Sequence, residues 1–176
     1  TRQIINLALV GFMGTGKSSV GRLVADQLRF SFLDTDQLIE ERAGKSIRDI
    51  FAQEGEAAFR EHERSMVAEL SARKNTVIAT GGGLVVNEEN LASLKRHALV
   101  VCLWASPETI WERVRNQTHR PLLNDPDPLA KIRQLLTDRQ PYYRQADVLM
   151  NTAVRSLNEV AQQVIHQFRL MQSTAR

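Results

Sequence analysis

Gly11-Phe12-Met13-Gly14-Thr15-Gly16-Lys17-Ser18 satisfies the pattern G-x-x-x-x-G-K-S/T, the spacing of a loop that wraps phosphate groups. Glycines let such a backbone turn tightly enough for its N–H groups to point at phosphate oxygens, and a helix opening near Lys17 adds its positive end. Lys17 is then placed to reach the β- and γ-phosphates of a nucleotide, and Ser18 to offer its hydroxyl to Mg2+. The loop fixes a phosphoryl donor and leaves the acceptor open: water, a nucleotide, a sugar or a small alcohol.

Further groups bear on the acceptor. Asp34 and Asp36 are two apart, and in extended chain such positions project to one side, so both carboxylates are expected to face the phosphate loop. One would hold a Mg2+ water and the other orient or deprotonate a hydroxyl; the alternative is a strand-end acid and a helix-first-turn charge. Gly81-Gly82-Gly83 permits close backbone approach to a ligand. Arg60 and Glu63 are spaced i,i+3, so the carboxylate can steer the guanidinium into a pocket, or the two can form a solvated surface pair. Arg120 and Arg139 flank prolines, and arginines brought in by a closing loop neutralise charge on a transferring phosphoryl group.

Elements that could position these groups are visible in the apolar pattern. Ile4 to Val10 is a β-branched, nearly all-apolar run ending at Gly11, as for a strand buried on both faces. Short runs at 32–33, 76–79, 99–103 and 148–150 alternate with helical patterns, which is the signature of a parallel α/β sheet. Ser106-Pro107 opens a helix through Val114, and Ser156 with Glu159 forms a capping box before Val160, Val164 and Phe168. Thr35 is expected to cap a helix ending at Gly44, and Ser46 another with Ile47, Ile50 and Phe51 inward. Phe59, Met66, Val67 and Leu70 mark a longer helix. Asn116 to Pro128 is polar and holds three of the five prolines, so it reads as a loop of the kind that covers a site.

Composition narrows the class. The 176 residues suit one domain, and 43% hydrophobic with 24% charged residues excludes disorder as the main state. The surplus of 23 basic over 20 acidic residues is small and dispersed, which speaks for anionic small molecules rather than nucleic acid. Cys102 is the only cysteine, which excludes an intrachain disulfide, fits a reducing compartment and is expected to act as a buried hydrophobe. Trp104 and Trp111 are expected to pack, and the four histidines show no metal-ligand spacing. No apolar run is long enough to span a bilayer, and no signal-peptide pattern opens the chain.

The ordered set formed by the phosphate loop, Asp34-Thr35-Asp36, Phe59-Arg60 with Glu63, Gly81-Gly82-Gly83, Arg120-Pro121-Leu122-Leu123 and Arg139-Gln140-Pro141-Tyr142 resembles the shikimate kinase family. The resemblance implies an α/β fold of three α/β/α layers, the P-loop kinase fold, with a five-stranded parallel sheet, a helical substrate-binding region at about 34–62 and a mobile lid at about 116–127 within a single domain, 1–176. It implies transfer of the ATP γ-phosphoryl group to the 3-hydroxyl of shikimate, with Mg2+, by a cytoplasmic monomer that binds neither nucleic acid nor membrane. By the same resemblance Gly14, Thr15, Gly16, Lys17, Ser18, Ser19, Arg113, Arg120 and Arg155 contact ATP, and Ser18 and Asp34 serve the metal. Asp36 is the implied base, with Lys17 and Arg120 assisting, and Asp36, Arg60, Gly81, Gly82, Gly83 and Arg139 hold shikimate, the two arginines at its carboxylate.

Overall fold

In the computed structural model, which describes residues 2–117 and 124–174, the chain alternates strand and helix from the start. It runs β1 (Asn6–Val10), α1 (Lys17–Leu28), β2 (Ser31–Asp34), α2 (Thr35–Ala43), α3 (Ile47–Glu54), α4 (Glu56–Leu70), β3 (Thr76–Ala79), α5 (Glu88–His97), β4 (Ala98–Trp104), α6 (Pro107–Val114), α7 (Pro128–Tyr143), β5 (Val148–Asn151) and α8 (Leu157–Thr174). The strands pair in parallel in the order β2-β3-β1-β4-β5, so β1 is central and every residue in it is buried.

Alternation along the strands divides the core. Leu7 and Leu9 of β1 join Leu99, Val101 and Leu103 of β4 on one face, against Val20 and Val24 of α1 and Val164 and Phe168 of α8. Ala8 and Val10 join Ile78, Val100 and Cys102 on the other, against Met66 of α4, Leu94 of α5, Ile110 of α6 and Ile132 of α7. The result is the expected three layers. All strands point the same way, so the loops at their carboxyl ends, after Val10, Asp34, Ala79 and Trp104, gather along one edge where α/β sheets bind ligands.

Local signals were mostly obeyed. Ser46 accepts from Asp49 N–H, Ser106 from Thr109 N–H with Pro107 at the first position, and Ser156 and Glu159 exchange bonds as a capping box. Four expectations are corrected. The cap of α2 is Asp34, whose carboxylate accepts from Asp36 and Gln37 N–H at 3.0 and 3.2 Å; the hydroxyl of Thr35 instead accepts from Gly81 N–H at 3.0 Å. Phe51 is 39% exposed, because Ile50 fills the core side of α3 and leaves the phenyl in a cleft. Trp104 is 45% exposed, since it ends β4 beyond the covering helices. The stretch expected as a loop to Pro128 stops sooner, because Asp127 caps α7 and Pro128 is its first residue. No described helix is long and apolar enough to cross a membrane.

Candidate active site

The turn from β1 into α1 crosses the carboxyl edge as an open hook. Gly14 and Gly16 have φ of 73° and 98°, and Gly16 precedes the first helical residue, Lys17, without a side-chain cap. The first N–H groups of α1 are therefore left for a ligand, which suits an anion. Lys17 Nζ donates to the carbonyls of Gly11 and Phe12 at 2.6 and 2.8 Å, folded back over the loop. Thr15 is buried, with its hydroxyl on Phe12 O at 2.7 Å, so its side chain braces the loop from beneath.

Beside the hook stand the two aspartates, brought there by a strand end and a helix start rather than by extended chain. Asp34 Oδ2 accepts from Ser18 Oγ at 2.9 Å. Ser18 and Asp34 thus form an all-oxygen pair, the donor chemistry that Mg2+ takes, and among the described residues no cluster of three or more His, Cys, Asp or Glu is arranged for a metal. Asp36 lines the same cleft, with Oδ1 buried and without a partner. Burial, and next the charge of Asp34, push its carboxyl up to about 6 against the pull of Lys17 and Arg60.

The third wall is α4 with the glycine turn. Arg60 Nη1 donates to Glu63 Oε1 at 2.6 Å; Glu63 is only 1% exposed while Arg60 is 35% exposed, so this is a half-buried pair rather than a solvated one. Burial raises the Glu63 carboxyl against the pull of Arg60, and its Oε2 has no partner. The guanidinium is steered onto Gly83, where an added Cβ would lie 2.7 Å from Arg60 Nη2; at Gly81 it would lie 2.5 Å from Asp36 Oδ1. Side chains at these positions would fill the space the arginine and the aspartate occupy. Arg139 descends from α7, over the ring of Phe12 at 5.4 Å, to the neighbouring Gly82.

These walls enclose one cleft of about 1100 Å³. Gly14, Gly16, Lys17, Ser18, Ser19, Asp34, Asp36, Arg60, Gly81, Gly82, Gly83 and Arg139 all line it, so the structure brings most of the expected residues together. Arg113 lies outside that lining: it donates to Gly14 O at 3.0 Å and to Thr152 O at 3.0 Å, clasping the phosphate loop to the β5–α8 loop. Arg155 closes its own loop on Asn151 O at 2.9 Å. Arg120 and most of the expected lid, 118–123, lie outside the described residues.

Sequence reasoning missed Arg48 and Phe51, which line the cleft from α3, and Tyr143, whose hydroxyl donates to Gly82 O at 2.5 Å. The i,i+4 spacing of Arg139 and Tyr143 was a usable signal for the last.

Among known proteins, the shikimate kinase family model matches residues 13–169. A curated shikimate kinase of Symbiobacterium thermophilum is 46% identical over 168 residues, covering 94% of this chain and 97% of its own. The solved structure of the Acinetobacter baumannii shikimate kinase in complex with shikimate superposes with a TM-score of 0.89 at 38% identity, over 97% of this chain and 94% of that one. A gluconokinase from Sinorhizobium meliloti, at 18% identity and a TM-score of 0.65 over 99% of this chain and 97% of its own, shares the fold alone. A cleft with a phosphate hook on one wall and a guanidinium-flanked carboxylate on the other, within a sequence matched this fully, places the chain in the shikimate kinase family of ATP-dependent kinases.

Proposed function

We propose that the chain, as a member of that family, transfers the γ-phosphoryl group of ATP to the 3-hydroxyl of shikimate across this cleft, with its residues dividing the work as follows. The phosphate hook and Lys17 hold the donor phosphates, the lysine leaving its carbonyl contacts for phosphate oxygens. Arg60 and Arg139, which meet the glycine turn from two helices, receive the acceptor carboxylate as charge-assisted donors. Asp36 takes the acceptor hydroxyl and accepts its proton as the oxygen attacks phosphorus. Its raised pKa suits it to hold that proton near neutral pH while ionised often enough to start.

Ser18 and Asp34 would hold Mg2+, which when bound neutralises charge on the phosphate oxygens. Thr15, Gly14, Gly16 and Ser19 shape the donor cradle, and Arg113 and Arg155 line up the nucleotide end. Phosphoryl transfer asks little covalent chemistry of a protein, so positioning and charge supply most of the rate. On this reading residues 1–176 act as one cytoplasmic, monomeric domain, with 34–62 binding the acceptor. The lid over 116–127 and its Arg120 enter on sequence alone.

The observation that carries the reading is the buried, unpartnered Oδ1 of Asp36, beside a glycine turn and flanked by two guanidinium groups. That arrangement calls for an anionic acceptor bearing a hydroxyl. ADP release should therefore depend on shikimate in a panel that also holds gluconate and nucleoside monophosphates. Equal turnover with either of those would overturn the assignment.

A further inference from the structure

We propose that Tyr143 is a positioning residue for the transfer, its hydroxyl locking the Gly82 turn and Arg139 into one unit that sets the acceptor clamp against the phosphate loop. The inference rests on the reading of Arg139 as an acceptor ligand. Three observations carry it.

First, Tyr143 ends α7 and is 7% exposed, with its ring packed in the core beneath the cleft and its hydroxyl donating to Gly82 O at 2.5 Å. A core position there needs only a phenyl; the hydroxyl is additional and is spent on one carbonyl of the glycine turn. Second, Arg139 lies one helical turn before Tyr143, on the same face, and its guanidinium comes to the same glycine that the phenol binds. The phenol thus donates to the turn against which the clamp arginine lies. Burial keeps it protonated, pushed up to about 12 against the pull of Arg139, so it remains a donor at any physiological pH. Third, Gly82 is where the clamp meets the donor cradle. A Cβ built on it would lie 3.2 Å from Arg139 Nη1 and 3.6 Å from both Gly11 O and Met13 N of the phosphate loop.

The contacts run from the phosphate loop to Gly82, and from Gly82 to both the Tyr143 hydroxyl and Arg139. Without the hydroxyl, the Gly82 carbonyl loses its buried donor, and the turn against which Arg139 lies is no longer pinned. The clamp then holds the acceptor in a wider range of poses, and misplacement at the reacting oxygen is expensive in rate.

Tyr143→Phe removes the hydroxyl and keeps the ring, and steady-state kinetics with each substrate varied in turn reads the effect. kcat/KM for shikimate should fall by about 5- to 20-fold, while KM for ATP at saturating shikimate stays within about twofold. In an Arg139→Ala background the same substitution should change kcat/KM for shikimate by less than about twofold, because the group it positions is gone. Thermal melting of all four proteins accompanies the kinetics. An unchanged kcat/KM, an equal loss for both substrates, full additivity with Arg139→Ala, or collapse of the fold in the Phe variant would each make Tyr143 structural and overturn the proposal. Should Arg139→Ala itself leave KM for shikimate unaltered, the clamp reading fails first. If that variant raises KM and Tyr143→Phe does not, only the positioning role fails.

Discussion

The two edges of the sheet are built from the same residue types and treat them in opposite ways. At the amino edge, Asn6 is fully buried and fully used: its amide donates to Arg73 O at 2.8 Å and meets His97 Nδ1 at 2.9 Å, while its oxygen accepts from Thr76 N–H at 3.0 Å. Beside it Arg2 makes paired contacts of 2.8 and 2.9 Å to Asp147, which also accepts from Val100 N–H at 2.8 Å. At the carboxyl edge, Asp36 Oδ1 and Glu63 Oε2 are buried without partners, and Lys17 is folded onto carbonyls of its own loop. A buried polar atom without a partner costs about 1–3 kcal/mol, so a fold keeps such atoms where something else completes them. At the amino edge, where among the described residues only His97 Nε2 lacks a partner, the bonds hold the strands in register; at the carboxyl edge two carboxylate oxygens are left unpaired beside the cleft.

The sharpest way to break this contrast is Asp36→Asn. Its kcat for shikimate should fall by about 10²- to 10⁴-fold with ATP affinity little changed, and an unaltered kcat would remove it as the base. The same variant should be more stable than the parent. With a folded pKa of about 6 and a lower unfolded value, Asp36 favours the folded state while protonated, and that stability is lost as pH rises through about 6. Asparagine does not ionise, so melting should show a gain at pH 7.5 that vanishes by pH 4. A loss of stability at both pH values would contradict the picture of a carboxylate held there at a cost.

Asn6→Ala tests the other edge. It strands Thr76 N–H, Arg73 O and the ring of His97 together, so a loss of about 2–4 kcal/mol is expected, seen as a fall in Tm of roughly 5–15 °C. kcat and both KM values, measured below the melting range, should match the parent. A kinetic defect there would mean the edges are not separable.

Arg60→Ala sharpens the comparison within the cleft, because it touches both kinds of role. KM for shikimate should rise by about tenfold, and stability should fall because Glu63 keeps its burial and loses its one partner among the described residues. Adding Glu63→Gln should restore much of the stability and none of the KM. If the double variant regained KM, the guanidinium would be scaffolding for Glu63 rather than a ligand for the acceptor.

How legible each edge was in the sequence follows the same division. The phosphate hook, strands and most caps are local, set by spacing and by residues within four positions of each other, and they could be read directly. Asp34 as the cap of α2 was masked by Thr35 beside it, since either residue type can cap and only the break from strand to helix decides. Helix α7 is not legible because Pro128 and Pro141 look like punctuation, and Ile132 and Tyr143 are its only fully buried side chains. With α7 unseen, the meeting of Tyr143, Arg139 and Gly82 could not be drawn, since it needs the chain to return across the sheet some 57 to 61 residues after the glycine turn. Arg48 and Phe51 are brought to the cleft by packing of α3 on α4, where the Phe51 and Phe59 rings lie 4.9 Å apart, and no spacing rule connects α3 to the phosphate loop.

The smallest effect belongs to the one atom of the amino edge left without a partner among the described residues, Nε2 of His97. Because Nδ1 faces the Asn6 amide nitrogen, it accepts, and the ring proton sits on Nε2. Burial first, and then the charge of Arg96, hold the pKa of His97 below its ordinary 6.5. A group whose folded pKa is depressed contributes stability above the unfolded value and loses it as pH falls through the folded one. The parent should therefore begin to lose stability as pH drops below about 6.5, and His97→Gln, which can still accept from Asn6, should show a shallower decline over that range. Asp36 drifts toward protonation in the same window with the opposite sign, so the comparison is cleanest in an Asp36→Asn background, where the residual slope belongs to the amino edge. If that slope persisted undiminished in the His97→Gln, Asp36→Asn double variant, the histidine would not be its source.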